Sequence, residues 1–69
     1  MEFPSGMTSD AFAHWLAAMK AAGLATSDAH CGRLLGLSAD TIVRLKYGGA
    51  DVKTALACQA LMHGLKPYP

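Results

Sequence analysis

Four side chains spaced i, i+3, i+4 and i+7 carry the chemistry that stands out in this chain: Asp40, Val43, Arg44 and Tyr47. At about 100° per residue they share one helical face. Arg44 offers a planar fork of donors that matches the acceptor edge of a guanine. Asp40 offers an acceptor for the amino group of a cytosine, and Val43 an apolar surface for a thymine methyl. Tyr47 carries a hydroxyl within reach of a phosphate. Ser38, Lys46 and Lys53 are donors of the kind that fix register on a sugar-phosphate backbone, aided by helix N-termini expected at 38–39 and 51–52. Thr41 and Ser27 complete the candidate set. Simpler roles compete with these. Asp40 and Arg44 could pair in solvent, for about 0.3 kcal/mol. Lys46 and Lys53 could be solubilising charges, and Ser27 and Thr54 could be a cap and a first-turn residue.

The elements that must hold this face are legible from period and punctuation. Residues 9–22 read as a helix with Ser9 as cap and Asp10 at the positive end of its dipole. Phe12, Trp15, Leu16, Met19 and Ala22 form its apolar stripe, and Gly23 its stop. Residues 28–35 read as a short second helix, capped by Thr26 or Ser27, with Cys31, Leu34 and Leu35 facing inward. Gly32 costs about 1 kcal/mol relative to Ala inside a helix. It makes sense where another helix crosses close above it. Gly36 then ends the helix in a left-handed residue, Leu37 points back to the core, and Ser38 caps a third helix over 39–47. Ile42 and Leu45 anchor that helix, and Gly48-Gly49 stops it. Two helices joined by about three residues including Gly cross steeply, the geometry of a helix-turn-helix.

Asp51 can cap a fourth helix over 52–63, with Gly64, Leu65 and Pro67 suited to a Schellman ending. This helix is apolar almost all round. Val52, Leu56 and Ala60 make one stripe; Ala55, Cys58, Leu61, Met62 and Leu65 make another. A helix apolar on both sides is buried on both sides, and the simplest cover for the second side is another copy of the chain. The second stripe is therefore the expected dimer contact.

The chain has 69 residues, 52% of them hydrophobic, which is one small folding domain rather than a disordered tail. At this size about 60% of the unfolded surface is buried, so oligomerisation is a reasonable support. No apolar run approaches the ~20 residues that cross a bilayer. The N-terminus lacks a basic segment followed by an apolar one, so no secretory signal is expected. Residues 1–7 read as an arm, or as sequence preceding a start at Met7. Cys31 and Cys58 form no zinc spacing and are expected as buried, reduced thiols of a cytoplasmic protein. His14, His30 and His63 show no i,i+4 pairing, so no metal is expected. No paired carboxylates, no Ser-His or Cys-His constellation and no phosphate-binding Gly-rich loop is present, so neither an enzyme, a cofactor nor a small-molecule effector is indicated. Net charge is +1, split as −1 over residues 1–37 and +2 over residues 38–69.

The stretch from Ser27 to Tyr47 resembles the helix-turn-helix of the lambda-repressor/Cro-like (xenobiotic-response-element) family. Gly32 stands where that family needs a small residue under the crossing, Gly36 is the turn glycine, and Ser38 opens the recognition helix. Leu35, Leu37, Ile42 and Leu45 take the core positions. The wider pattern, from "MTSDAF" through "RLLGLS" to a terminal apolar helix, is similar to short phage regulators such as the anti-CRISPR-associated repressors. The resemblance implies an all-α fold of four short helices with a helix-turn-helix over 28–47 and a dimerisation helix over 52–63. It implies a sequence-specific regulator, a repressor that binds an inverted-repeat operator in double-stranded DNA as a homodimer. The competing class is a helix-turn-helix scaffold that binds protein and not DNA. Low net charge, with Asp28 and Asp40 on the presumed DNA side, favours it.

Overall fold

A computed structural model describes residues 6–67. Residues 1–5 of the expected arm, and residues 68–69, lie outside the described residues. The fold is all-α: α1 (Ser9–Ala21), α2 (Asp28–Leu35), α3 (Ala39–Gly48) and α4 (Val52–Met62), with no strand among the described residues. α1 packs against α2 and α3, and α2 also packs against α3 and α4.

Each helix starts on an oxygen that accepts from a backbone N–H three residues on. Thr8 caps α1, Ser27 caps α2, Ser38 caps α3 and Asp51 caps α4. The first is a correction. Ser9 is the first helical residue, because Thr8 is the one with extended backbone (φ −69°, ψ 164°) and its hydroxyl receives the Ala11 N–H. α1 also ends earlier than its stripe suggests, since Ala22 is an exposed end residue.

The core is Phe12, Trp15, Leu16 and Met19 of α1 with Ala25, Cys31, Ile42 and Cys58. Phe12 and Trp15 stack with ring centroids 5.7 Å apart. The Trp15 indole N–H donates to the Cys58 carbonyl at 3.0 Å, which fixes the face that α4 turns inward. Gly32 lies directly under α3: a Cβ there would stand 2.9 Å from Ile42 Cγ1 and 3.3 Å from the Leu37 carbonyl oxygen. The close crossing expected from that glycine is therefore real.

Two placements differ from the periodic reading. Leu34, expected inward, is 39% exposed. In the arm, Met7 is paired: its N–H donates to the Ala50 carbonyl and its carbonyl accepts from the Ala50 N–H, both at 2.9 Å. This bridge ties the approach to α1 to the link between α3 and α4. No helix among the described residues is long and apolar enough to cross a membrane.

Candidate nucleic-acid interface

The turn before α3 is built by hydrogen bonds. Gly36 takes the left-handed conformation (φ 74°), its N–H donates to the Arg33 carbonyl, and the Leu37 N–H donates to the Gly32 carbonyl at 2.8 Å. Leu37 returns to the core as a half-buried residue. Ser38 then receives the Thr41 N–H, and its hydroxyl also meets the Thr41 hydroxyl at 2.9 Å. Both hydroxyls are therefore engaged in starting α3.

α3 is held by fully buried Ile42 and half-buried Leu45. The opposite side stands clear: Val43 is 51% exposed, Tyr47 is 84% exposed, and Asp40 and Arg44 are exposed. The ion pairs among the described residues are Lys20–Asp28, Lys46–Asp28 and Lys53–Asp51. Asp40 and Arg44, one turn apart, are in none of them, so the pairing that would have explained both away is not made. The structure thus brings Asp40, Val43, Arg44 and Tyr47 together on one open face.

The other candidates are placed differently. Ser27 is consumed as a cap: its hydroxyl receives the His30 N–H at 3.0 Å. Lys46 leaves the open face to reach the Asp28 carboxylate at 3.2 Å. Asp28 also holds Lys20 at 2.8 Å, and this lysine contact, opposed in part by burial and assisted by Lys46, keeps its carboxyl below the usual carboxylate range. Lys53 pairs with Asp51 at 3.3 Å and lines a shallow cleft with Leu35, Leu37, Thr54 and Ala57. Thr54 holds the Asp51 carboxyl down to about 2, in keeping with a working helix cap.

The expected dimer contact divides. Cys58 is 1% exposed and has no surface to offer a partner, and burial pushes its thiol up to about 11. Leu61 and Met62 pack on the protomer's own core, Ala55 is half-buried and Leu65 is 60% exposed. The reason is the orientation set by Trp15, which turns the Cys58 side of α4 inward. What remains outward is Leu56, 61% exposed, and a groove of about 270 Å³ between α2 and α4 lined by Leu34, Leu35, Ala57, Ala60, Leu61 and Leu65. The sequence reading overlooked Lys20 and the α2 wall of this groove. The charge spacing Lys20–Asp28 crosses a loop, which no helical period reports. Among the described residues no group of three or more His, Cys, Asp or Glu is close enough to hold a metal ion.

No family model, curated protein or solved structure matches the chain.

Proposed function

We propose that this chain is a DNA-binding regulator of the helix-turn-helix kind, with α3 as the recognition helix. The observation that carries the reading is the two-sidedness of α3. Ile42 is only 3% exposed and fixes the helix, while Val43, Arg44 and Tyr47 stand free on the far side. A helix presented in this way fits the major groove, where Arg44 would donate to guanine and Val43 would meet a thymine methyl. Asp40 and Tyr47 flank them. The α2–Gly36–α3 geometry and the lambda-repressor/Cro-like pattern of the residues that build it support the same reading. The protein would act as a cytoplasmic repressor without enzymatic activity, of the type carried by phages and mobile elements.

The working unit in this reading is a homodimer. Exposed Leu34, Leu56 and Leu65 supply the apolar surface for it, in place of Cys58, Leu61 and Met62. The two recognition helices would then lie about 34 Å apart and read an inverted repeat. Sedimentation at micromolar concentration should give twice 7.2 kDa. Leu65→Glu should give a folded monomer, and a wild-type monomer at that concentration would remove the dimer.

Selection from random duplex DNA followed by gel shift tests the reading itself. Arg44→Ala should lose about 1–3 kcal/mol of binding per half-site and relax preference at one base pair. A folded Arg44→Ala protein with unchanged affinity and preference would sink the assignment. With about 4 to 6 charged phosphate contacts per dimer, log K should fall against log salt with a slope of roughly −4 to −5. A second reading, a scaffold that binds protein instead, is favoured by the neutralisation of Lys46 by Asp28. Failure to retard any duplex at low salt would select it.

A further inference from the structure

Asp28 sits in the first turn of α2, and each of its carboxylate oxygens takes one lysine. Oδ1 lies 2.8 Å from Lys20 Nζ of α1, and Oδ2 lies 3.2 Å from Lys46 Nζ of α3. Two ammonium groups converging on one anion from two elements is the arrangement a backbone phosphate would receive. The carboxylate is next to the open face of α3. Asp28, Ala29, Ala39, Ile42, Val43 and Lys46 line one cleft, so the anion shares a wall with Val43. A duplex brought against Val43 would meet a negative charge there, and would find Lys46 already engaged. Both lysines keep about two-fifths of their side chains exposed, so a change of partner needs no unpacking.

We propose that Asp28 is an internal stand-in for a DNA phosphate, which holds Lys46 off the duplex until a phosphate takes its place. The proposal rests on the DNA-binding reading and adds a competition to it. A complex in which Lys46 stays on Asp28 makes one phosphate contact fewer per protomer, and one in which it moves gives up the ion pair. Asp28 therefore lowers affinity for all sequences by a similar factor, and binding without base contacts, the weaker from the start, is the first to become negligible. An acidic residue here is a restraint on non-specific binding, in a protein whose cations are few.

The test uses the full chain and a mixed-sequence duplex. Asp28→Asn should raise affinity about 3- to 10-fold at low salt and steepen the slope of log K against log salt by about 1 per protomer. Asp28→Glu should stay close to wild type. In a Lys46→Ala background, Asp28→Asn should no longer steepen the slope, because no released lysine remains on α3 to engage a phosphate. A merely structural role for Asp28 predicts the reverse: a less stable protein that binds no better. Circular dichroism melts identify that case. Wild type that binds duplex, with an Asp28→Asn variant of unchanged affinity and slope, overturns the proposal and leaves the DNA-binding reading intact. So does a steeper slope that persists without Lys46. If neither wild type nor variant retards the duplex, the DNA-binding reading falls and takes this proposal with it.

Discussion

α1 and α3 are neighbours in space and treat their side chains in opposite ways. α1 sinks Phe12, Trp15, Leu16 and Met19, each no more than 5% exposed. α3 sinks Ile42 alone, half-buries Leu45 and leaves a whole face open. Such a division separates two kinds of free energy. Burial of four large side chains on α1 supplies much of the stability of a small domain. The outer face of α3 contributes little to folding, so its residues answer to no packing requirement. Gly32, on α2, lies at the joint with α3, under Ile42 and beside the Leu37 carbonyl.

The largest effect should come from the buried helix. Trp15→Ala removes a packed ring and its indole hydrogen bond to the Cys58 carbonyl, and should cost about 3–5 kcal/mol, enough to leave a marginal domain largely unfolded. Urea denaturation measures it. A loss under about 1 kcal/mol would mean that α1 is not the structural half of the comparison.

Next comes the joint. Gly32→Val forces side-chain atoms into Ile42 and should cost about 1–3 kcal/mol in the same experiment. Since the strain falls on the seat of α3, duplex binding should weaken further than the folded fraction alone explains. An undiminished affinity per folded molecule would show that the seat of α3 does not matter to its outer face.

Smaller still are changes on that face. Arg44→Ala and Tyr47→Ala should each shift folding stability by less than about 0.5 kcal/mol, whatever they do to binding. A loss of more than about 1 kcal/mol from either would erase the distinction between the two helices.

The subtlest test is titration. Asp28 and Asp51 both ionise below the ordinary 3.8 of a carboxyl in the folded chain. Their contribution is therefore present above that value and is lost as pH falls through their folded values, toward about 2 for Asp51. Asp28→Asn should flatten part of this acid limb in thermal melts followed from pH 5 to 2. At the alkaline end the sign is the other way. Cys58 is raised from 9.0 to about 11, so its contribution is intact below 9 and fades as pH rises toward 11. Cys58→Ala should remove that fall. An alkaline limb identical in the variant would assign it to other groups.

Period and punctuation alone determined the helices. The stripe at 12, 15, 16 and 19, the caps Ser38 and Asp51, and the glycine turn at 36 are local facts of sequence, and local hydrogen bonds enforce them. The open face of α3 was legible for the same reason: a helix anchored by Ile42 and Leu45 must turn Val43, Arg44 and Tyr47 away. Thr8 was missed as a cap because hydroxyls stand at both 8 and 9, and only the backbone angle chooses between them.

Tertiary structure decided the rest. α4 carries two apolar stripes, and no period can say which of them faces in. The Trp15 indole, docked on the Cys58 carbonyl 43 residues away, makes that choice and leaves Leu56 of the other stripe exposed. The fate of Lys46 was equally hidden. Its partner Asp28 is 18 residues distant, on another helix, and is shared with Lys20 on a third. Charges pair through space at a few ångströms, and only the packing of α1, α2 and α3 brings these three within that range.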